Sequence, residues 1–328
     1  MLSRRLLLAA PAALAGPALA APALAQPGTW PTRPVRIIVP FPPGGSQDVL
    51  TRILAEKLGE RLRQSFVVEN RAGANGLIGL DTVAKSRPDG HTFGVGGVGQ
   101  IVIAPYLYSM PFDLRRDLVP VAMVWDYANV AVAAPEHLHV PDLAALVAWA
   151  KAQPQGVFYA ISSVGTPGHL CTALFCERAG IKGTHMAVRG GAGIQLALTQ
   201  GEAAFTLDGG VPAFAGAIQQ KALKAFAVTS AERWPGMEDV PTMAEAGFPD
   251  FVITAWTGLM APTGTPAEAI AILQAAIEEI VKDAPTRARA LAAGGRLLSA
   301  PPAAVQARME AEGPLWRDII QRTGTKVE

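Results

Sequence analysis

The stretch Val35-Arg36-Ile37-Ile38-Val39-Pro40-Phe41-Pro42-Pro43-Gly44-Gly45-Ser46-Gln47-Asp48 constrains this chain more than any other. β-Branched residues at four of the five positions from Val35 to Val39 demand a buried strand, and the proline and glycine run behind them cannot extend it. The strand must stop at Pro40. From Asp48 onward the apolar residues change to helical spacing, with Leu50, Ile53, Leu54, Leu58 and Leu62 on one face. Strand, glycine turn and helix start follow one another. Gly44 and Gly45 let the backbone approach a ligand closely, and the first helical turn presents N–H groups that have no intrahelical partner. Such a corner is an expected anion pocket. Its plainer reading is an ordinary βα turn with Ser46 or Asp48 as the N-cap. No Gly-Lys-Ser/Thr follows, and the G-x-G-x-x-G order is missing, so nucleotides are not the expected anion.

Three motifs carry a resemblance. P-F-P-P-G-G-S-x-D ahead of an amphipathic helix, V-V-E-N-R-A-G-A-N-G-x-I-G from Val67, and S-R-P-D-G-H-T from Ser86 are similar to the solute-binding proteins of tripartite tricarboxylate transporters, the Bug or TctC family. The likeness continues through Tyr159 to Leu174, Ala225 to Gly247 and Trp256 to Pro262. It implies an α/β periplasmic binding protein fold, with two lobes that each hold a central sheet, joined by two crossover strands around a ligand cleft. Residues 27–126 and 229–328 would form one lobe and residues 127–228 the other. The implied function is extracytoplasmic capture of a small carboxylate by lobe closure, the solute being a di- or tricarboxylate, an aromatic acid or an amino acid. A monomeric receptor would hand it to the membrane subunits of a tripartite tricarboxylate transporter. No catalytic residue, metal or cofactor is expected.

Residues 1–26 read as an address rather than as fold. Arg4 and Arg5 form a basic start, Leu6 to Ala25 is apolar, and Ala-Leu-Ala occurs at Ala18 to Ala20 and again at Ala23 to Ala25. Cleavage is expected after Ala25, which places the mature protein in the periplasm. Ser3-Arg4-Arg5-x-Leu7-Leu8 also resembles a twin-arginine signal. Of the 328 residues, 50% are hydrophobic and only 17% charged, enough for more than one core. A formal net charge of +1 with no basic run gives no reason to expect nucleic-acid binding. Cys171 and Cys176 lie too far apart around one predicted helix for a bridge and read as small buried residues.

Candidate binding residues come from loops at strand ends. On the first lobe these are Phe41, Gly44, Gly45, Ser46 and Asp48, whose backbone N–H groups are expected to hold a carboxylate, largely with water. Gly97 and Val98, in a second glycine loop after the strand Thr92 to Val95, form another wall, because ligands bind outside the carboxyl ends of parallel strands. On the second lobe, Ile161 to His169 repeats the strand, loop and helix-start logic after the strand Val157 to Ala160. Ser163, Gly165, Thr166 and His169 match the family loop that grips the distal part of the solute, with His169 alternatively a packed helix-start residue. A strand Ala203 to Leu207 is expected to end at Asp208, which either meets a cationic group of the solute, as an aspartate in some family members can, or caps a turn; the second reading is preferred. Trp256 is expected in the core rather than the cleft. The hinges are expected near Trp125 to Val130 and Phe226 to Ser230.

Two other functions compete. A ligand-sensing component for signalling would share the same pocket. A hydrolase would use Ser162 or Ser163 with His169 or His185, but the chain lacks a G-x-S-x-G elbow.

Overall fold

The computed structural model describes residues 30–327; the expected signal segment, residues 1–26, lies outside the described residues. The opening corner forms as its sequence dictates: strand β1 (Val35–Val39), the proline–glycine loop, then helix α1 (Ser46–Leu62). There follow β2 (Phe66–Asn70), α2 (Leu77–Ala84), β3 (Thr92–Gly97), a π-helical turn over Gly99–Ile103, and two short helices, α3 (Ala104–Leu107) and α4 (Leu114–Asp117). A long strand, β4 (Leu118–Ala128), runs almost directly into β5 (Val130–Ala133). Next come α5 (Leu143–Lys151), β6 (Val157–Ile161), α6 (Pro167–Ala179), β7 (Gly183–Ala187), α7 (Gly190–Thr199), α8 (Val211–Gln219) and β8 (Lys224–Val228). The chain ends with β9 (Thr254–Pro262), α9 (Ala267–Ile280), α10 (Ala284–Ala293), β10 (Arg296–Ala300) and α11 (Pro302–Thr323).

Six strands form one sheet in the order β10-β4-β9-β3-β1-β2. β1 pairs in parallel with β2 and β3, while β9 runs antiparallel to both β3 and β4. Because β1 is covered on both faces, Val35, Ile37, Ile38 and Val39 are all essentially inaccessible. The remaining strands pair as β5 with β8 and β6 with β7. Between these pairs lies the segment expected as the strand Ala203–Leu207. It makes only single bridges, Phe205 to Tyr159 and Thr206 to Val132. The ladder stops there because side-chain hydroxyls take over: Leu207 N–H donates to Thr172 Oγ1 (3.0 Å) and Asp208 N–H to Thr206 Oγ1 (2.8 Å). Residues 243–247 form a turn.

The chain passes between the sheets twice, and the two passages are bonded to each other. Asn129, the one residue between β4 and β5, donates its N–H to Thr229 Oγ1 (3.0 Å) and accepts Thr229 N–H (2.9 Å). Thr229 Oγ1 also donates to Ile253 O (2.6 Å), and both residues are buried. Among the described residues no helix is long and apolar enough to cross a membrane. Both cysteines are free and buried, and burial pushes their thiols up to about 12.

Trp256 is fully buried in β9, away from the cavity described below. Its indole N–H donates to Glu312 Oε2 of α11 (3.0 Å), which also accepts Trp316 N–H (3.2 Å), while Arg308 Nε donates to the other oxygen (2.6 Å). One carboxylate therefore satisfies two indoles and a guanidinium, and fastens α11 to the sheet. Glu312→Ala is expected to lower unfolding free energy by about 2 kcal/mol, because partly buried donors lose their acceptor together. Urea denaturation checks this; a loss below about 0.5 kcal/mol would show that the network holds nothing together.

Candidate functional site

The opening corner is locked by side chains, and this decides which backbone groups stay free. Gly44 has φ +88°, a left-handed conformation that only glycine adopts without strain. Its N–H donates to Asp48 Oδ2 (2.9 Å). Asn70 Nδ2 donates to Asp48 Oδ1 (2.9 Å) and to Phe41 O (3.0 Å), so the V-V-E-N motif clamps the proline–glycine loop to α1. Burial of Asp48 pushes its carboxyl upward, but Arg52, the Gly44 N–H and Asn70 outweigh this and hold it below the usual aspartate range. Gly45 is the N-cap of α1 with ordinary extended backbone (φ −76°, ψ 164°), and no side chain caps the helix. The first N–H groups of α1 are thus left for something else.

That corner opens into a cavity of about 440 Å³ between the six-stranded sheet and the β5–β8 part of the chain. Four helices begin at its wall: α1 through Gly45 and Ser46, α6 through Thr166 and Gly168, α7 through Gly191, and α8 through Gly210 and Ala213. Only α6 has a side-chain cap, Thr166 Oγ1, which accepts the His169 N–H. Converging helix starts make the cavity favourable to negative charge. Among the described residues no lysine, arginine or histidine lines it. A more open hollow of about 580 Å³ between residues 101–116 and α11 is lined by none of the residues the sequence singled out.

The structure brings seven of the twelve sequence-derived residues to this cavity: Phe41, Gly45, Ser46, Gly97, Val98, Thr166 and Asp208. Five stand behind it. Gly44 and Asp48 shape the loop, as above. Ser163 is solvent-exposed and accepts the Thr166 hydroxyl through its carbonyl (3.0 Å). Gly165 is buried with φ +78° and donates its N–H to His169 Nδ1 (3.1 Å). His169 stacks against Tyr159 and lies 5.1 Å, centroid to centroid, from His185, on a separate hollow behind the loop. A side chain in the first turn of a helix points back over the preceding loop, so His169 braces that loop from the rear.

Sequence reasoning did not single out Tyr127, Asn129, Asn75, Gln100 or Ser162 as wall residues. Tyr127 and Asn129 come from the passage between sheets, where no loop signal marks them. Gln100 accepts Gly97 N–H (3.1 Å) and donates to Asn75 O (3.0 Å), joining two glycine loops far apart in sequence. Ser162 matters most for the chemistry of the inner wall. Its N–H (2.6 Å) and its hydroxyl (2.8 Å) both donate to Asp208 Oδ2. The Thr166 hydroxyl, 3.3 Å from the same oxygen, divides its one proton between Asp208 and Ser163 O. Burial raises the Asp208 carboxyl, and these donors offset that only in part. Burial and the nearby Asp208 charge together push the Tyr127 phenol up to about 12.

The sequence profile of the tripartite tricarboxylate transporter family receptor, TctC, matches residues 50–324. The protein BugT of Bordetella pertussis is 37% identical over 302 residues, covering 92% of each chain. Among solved structures, Rpa4515 of R. palustris with adipate superimposes with a TM-score of 0.83 at 32% identity, covering 90% of this chain and 99% of that one. The periplasmic binding protein BugD gives 0.79 at 29% identity, covering 91% and 100%. MatC from Rhodopseudomonas palustris with bound malate gives 0.76 at 27% identity, covering 89% and 100%.

His169 also sets a pH dependence. Burial, then the neighbouring His185, holds its imidazole down to about 4 from an ordinary value of 6.5. Between these values the unfolded chain binds more protons than the folded one, so stability falls as pH drops from about 6.5 to about 4 and levels off below. A shift of this size corresponds to at most about 3 kcal/mol. His169→Gln is expected to flatten that limb, read from urea midpoints across the same range; an unchanged slope would mean that other groups carry it. With the profile spanning residues 50–324 and a relative 37% identical over 92% of the chain, the chain belongs to the TctC receptor family of tripartite tricarboxylate transporters.

Proposed function

We propose that this protein is a periplasmic receptor that captures a small organic carboxylate and delivers it to a tripartite tricarboxylate transporter. The observation that carries this reading is the cavity itself: helix starts converge on it, three of the four lack a side-chain cap, and among the described residues no basic side chain supplies the countercharge. Amide N–H groups at such starts suit a carboxylate without the strong, slow grip of an arginine clamp. The solutes of two structural relatives, adipate and malate, belong to the same chemical class.

The solute's carboxylate meets the free N–H groups at Gly45, Ser46 and Gln47, with Phe41, Gly97 and Val98 closing that side. Hydrogen bonds to a charged carboxylate contribute about 1.5 to 3 kcal/mol each, so a few of them reach the roughly −8 kcal/mol of a micromolar constant after ordering costs. Capture proceeds by closure of residues 127–228 over residues 27–126 and 229–328. The bending points are the passages at Asn129 and Thr229, where hydrogen bonds across the pair keep the two crossings in register. The mature protein acts as a monomer.

A hydrolase is poorly supported by the geometry. The Ser162 hydroxyl donates to Asp208, and His169 Nδ1 is occupied by the Gly165 N–H, so no serine–histidine pair is formed by these residues.

A thermal-shift screen of mono-, di- and tricarboxylates, followed by calorimetry, tests the reading; the absence of any binder among them would refute it. Gly45→Val separates the pocket from the fold. A Cβ at Gly45 would meet only Pro42 O, at 3.9 Å, and the backbone there suits any residue, so the variant should fold normally. Its isopropyl group fills the carboxylate position, and affinity is expected to fall by a factor of at least about 100, as several charge-assisted hydrogen bonds are lost. Wild-type affinity in Gly45→Val would move the carboxylate elsewhere.

A further inference from the structure

The loop between β6 and α6 is gripped from two sides. Behind it, His169 Nδ1 accepts the Gly165 N–H (3.1 Å), and inside it the Ser162 and Thr166 hydroxyls turn to Asp208. All of these partners belong to the same part of the chain. In front, Tyr108 donates its hydroxyl to Val164 O (3.3 Å), which among the described residues is the loop's single hydrogen bond to the side that holds the six-stranded sheet. Gly165 makes the approach possible: its φ is +78°, and a Cβ there would stand 2.9 Å from Leu107 Cδ1 and 3.4 Å from the Tyr108 hydroxyl. Beside it, a Cβ on Gly99 would stand 3.3 Å from Pro167 Cδ. These contacts join opposite walls, because Val98, Gly99 and Gln100 line the cavity on one side and Thr166, Pro167 and Gly168 on the other. From Val98 the chain reaches Leu107 without leaving helical backbone: the π-helical turn passes straight into α3, and the Tyr108 N–H donates back to Ala104 O (2.8 Å). Ile103 and Ala104 are inaccessible, which fixes the middle of this segment in the core, and Tyr108 itself lies outside the cavity lining. Burial raises the Tyr108 phenol, offset in part by the Asn75 side chain, so the hydroxyl keeps the proton it donates.

Resting on the reading of capture by closure above, we infer that Tyr108 is a positioning residue for that capture: without touching the solute, its hydroxyl fastens the loop after β6 to the opposite wall and so sets how long a captured solute stays. When the two sides part, the Tyr108 hydroxyl and Val164 O both pass to water, so the bond carries the modest net worth of an exchanged hydrogen bond. Because it forms only when the walls meet, it acts on the escape of the solute and leaves the first encounter alone. The loop carries Thr166 and Gly168 into the cavity wall, so fastening Val164 holds that wall in place for any solute the cavity accepts.

Tyr108→Phe removes the hydroxyl and keeps the ring beside Gly165. Stopped-flow binding of succinate, adipate and benzoate to the full mature protein is compared in the wild type, in Tyr108→Phe and in Tyr106→Phe, a change at an exposed tyrosine of the same segment. In Tyr108→Phe the dissociation rate of each acid that binds should rise about three- to tenfold, by the same factor for each, while association stays within about twofold and Tyr106→Phe matches the wild type. An unchanged dissociation rate would overturn the inference and leave the receptor reading intact. So would a factor that differs from acid to acid, which marks direct contact with the solute. Hydrogen exchange in the absence of any acid keeps the two readings apart. Amides of residues 163–166 should exchange at least about threefold faster in Tyr108→Phe than in the wild type, and this supports the fastening even where no acid binds and the receptor reading fails. Equal exchange in the two proteins would overturn it.

Discussion

An α-helix that begins at a chain corner leaves its first amide hydrogens without partners, and this molecule turns several such beginnings toward one cavity that no basic side chain lines among the described residues. Everything else in the fold serves to hold those beginnings still. β1 ends where prolines forbid a further ladder, Gly44 turns through a left-handed conformation, and Asp48 with Asn70 ties the loop to both strand and helix. An oriented amide is worth more to an anion than water is only if it need not reorganise on binding. The buried Asp48 carboxylate, which touches no wall of the cavity, supplies that rigidity.

The parts of this arrangement governed by local chemistry could be read from the residues. β1, the turn at Pro40 and the start of α1 follow from a β-branched run, a proline–glycine break and a change of period. The second corner, β6 to α6, follows from the same logic, and Asp142 caps α5 as its position before the apolar periodicity implies. What could not be read depends on contacts distant in sequence. Phe205 and Thr206 have strand-like sequence but form single bridges, because hydroxyls on Thr172 and Thr206 take the next amides. Tyr127 and Asn129 reach the cavity only because the two passages between sheets meet beside it. α8 begins at the wall through Gly210 with a proline in its first turn, a local start signal that the sequence reading left unused.

Polar residues near the cavity show where sequence stops short. A histidine at a helix start beside a glycine loop admits two readings, ligand contact or local packing, and in the structure His169 Nδ1 accepts the Gly165 N–H while its ring lies on the hollow behind the loop. Hydroxyls in such a loop read as donors to an anion, yet those of Ser162 and Thr166 face inward to Asp208. In both cases the loop and the helix start that carry these residues were legible. Which partner each polar atom would choose was not, because that is settled by Asp208, 46 positions after Ser162.

The passages between the sheets are held to each other as well as joined by the chain. At Asn129 and Thr229 the chains exchange hydrogen bonds in a buried setting, so separating them would strand several polar groups. α11 imposes a further limit. Its first half is fastened to β9 through Glu312, and its second half reaches α6, where Arg322 pairs with Glu177. Pro314 lies between the two halves and cannot donate a hydrogen bond back along the helix. Two crossings of the chain and the length of α11 thus connect the six-stranded sheet with the part of the molecule that holds α6.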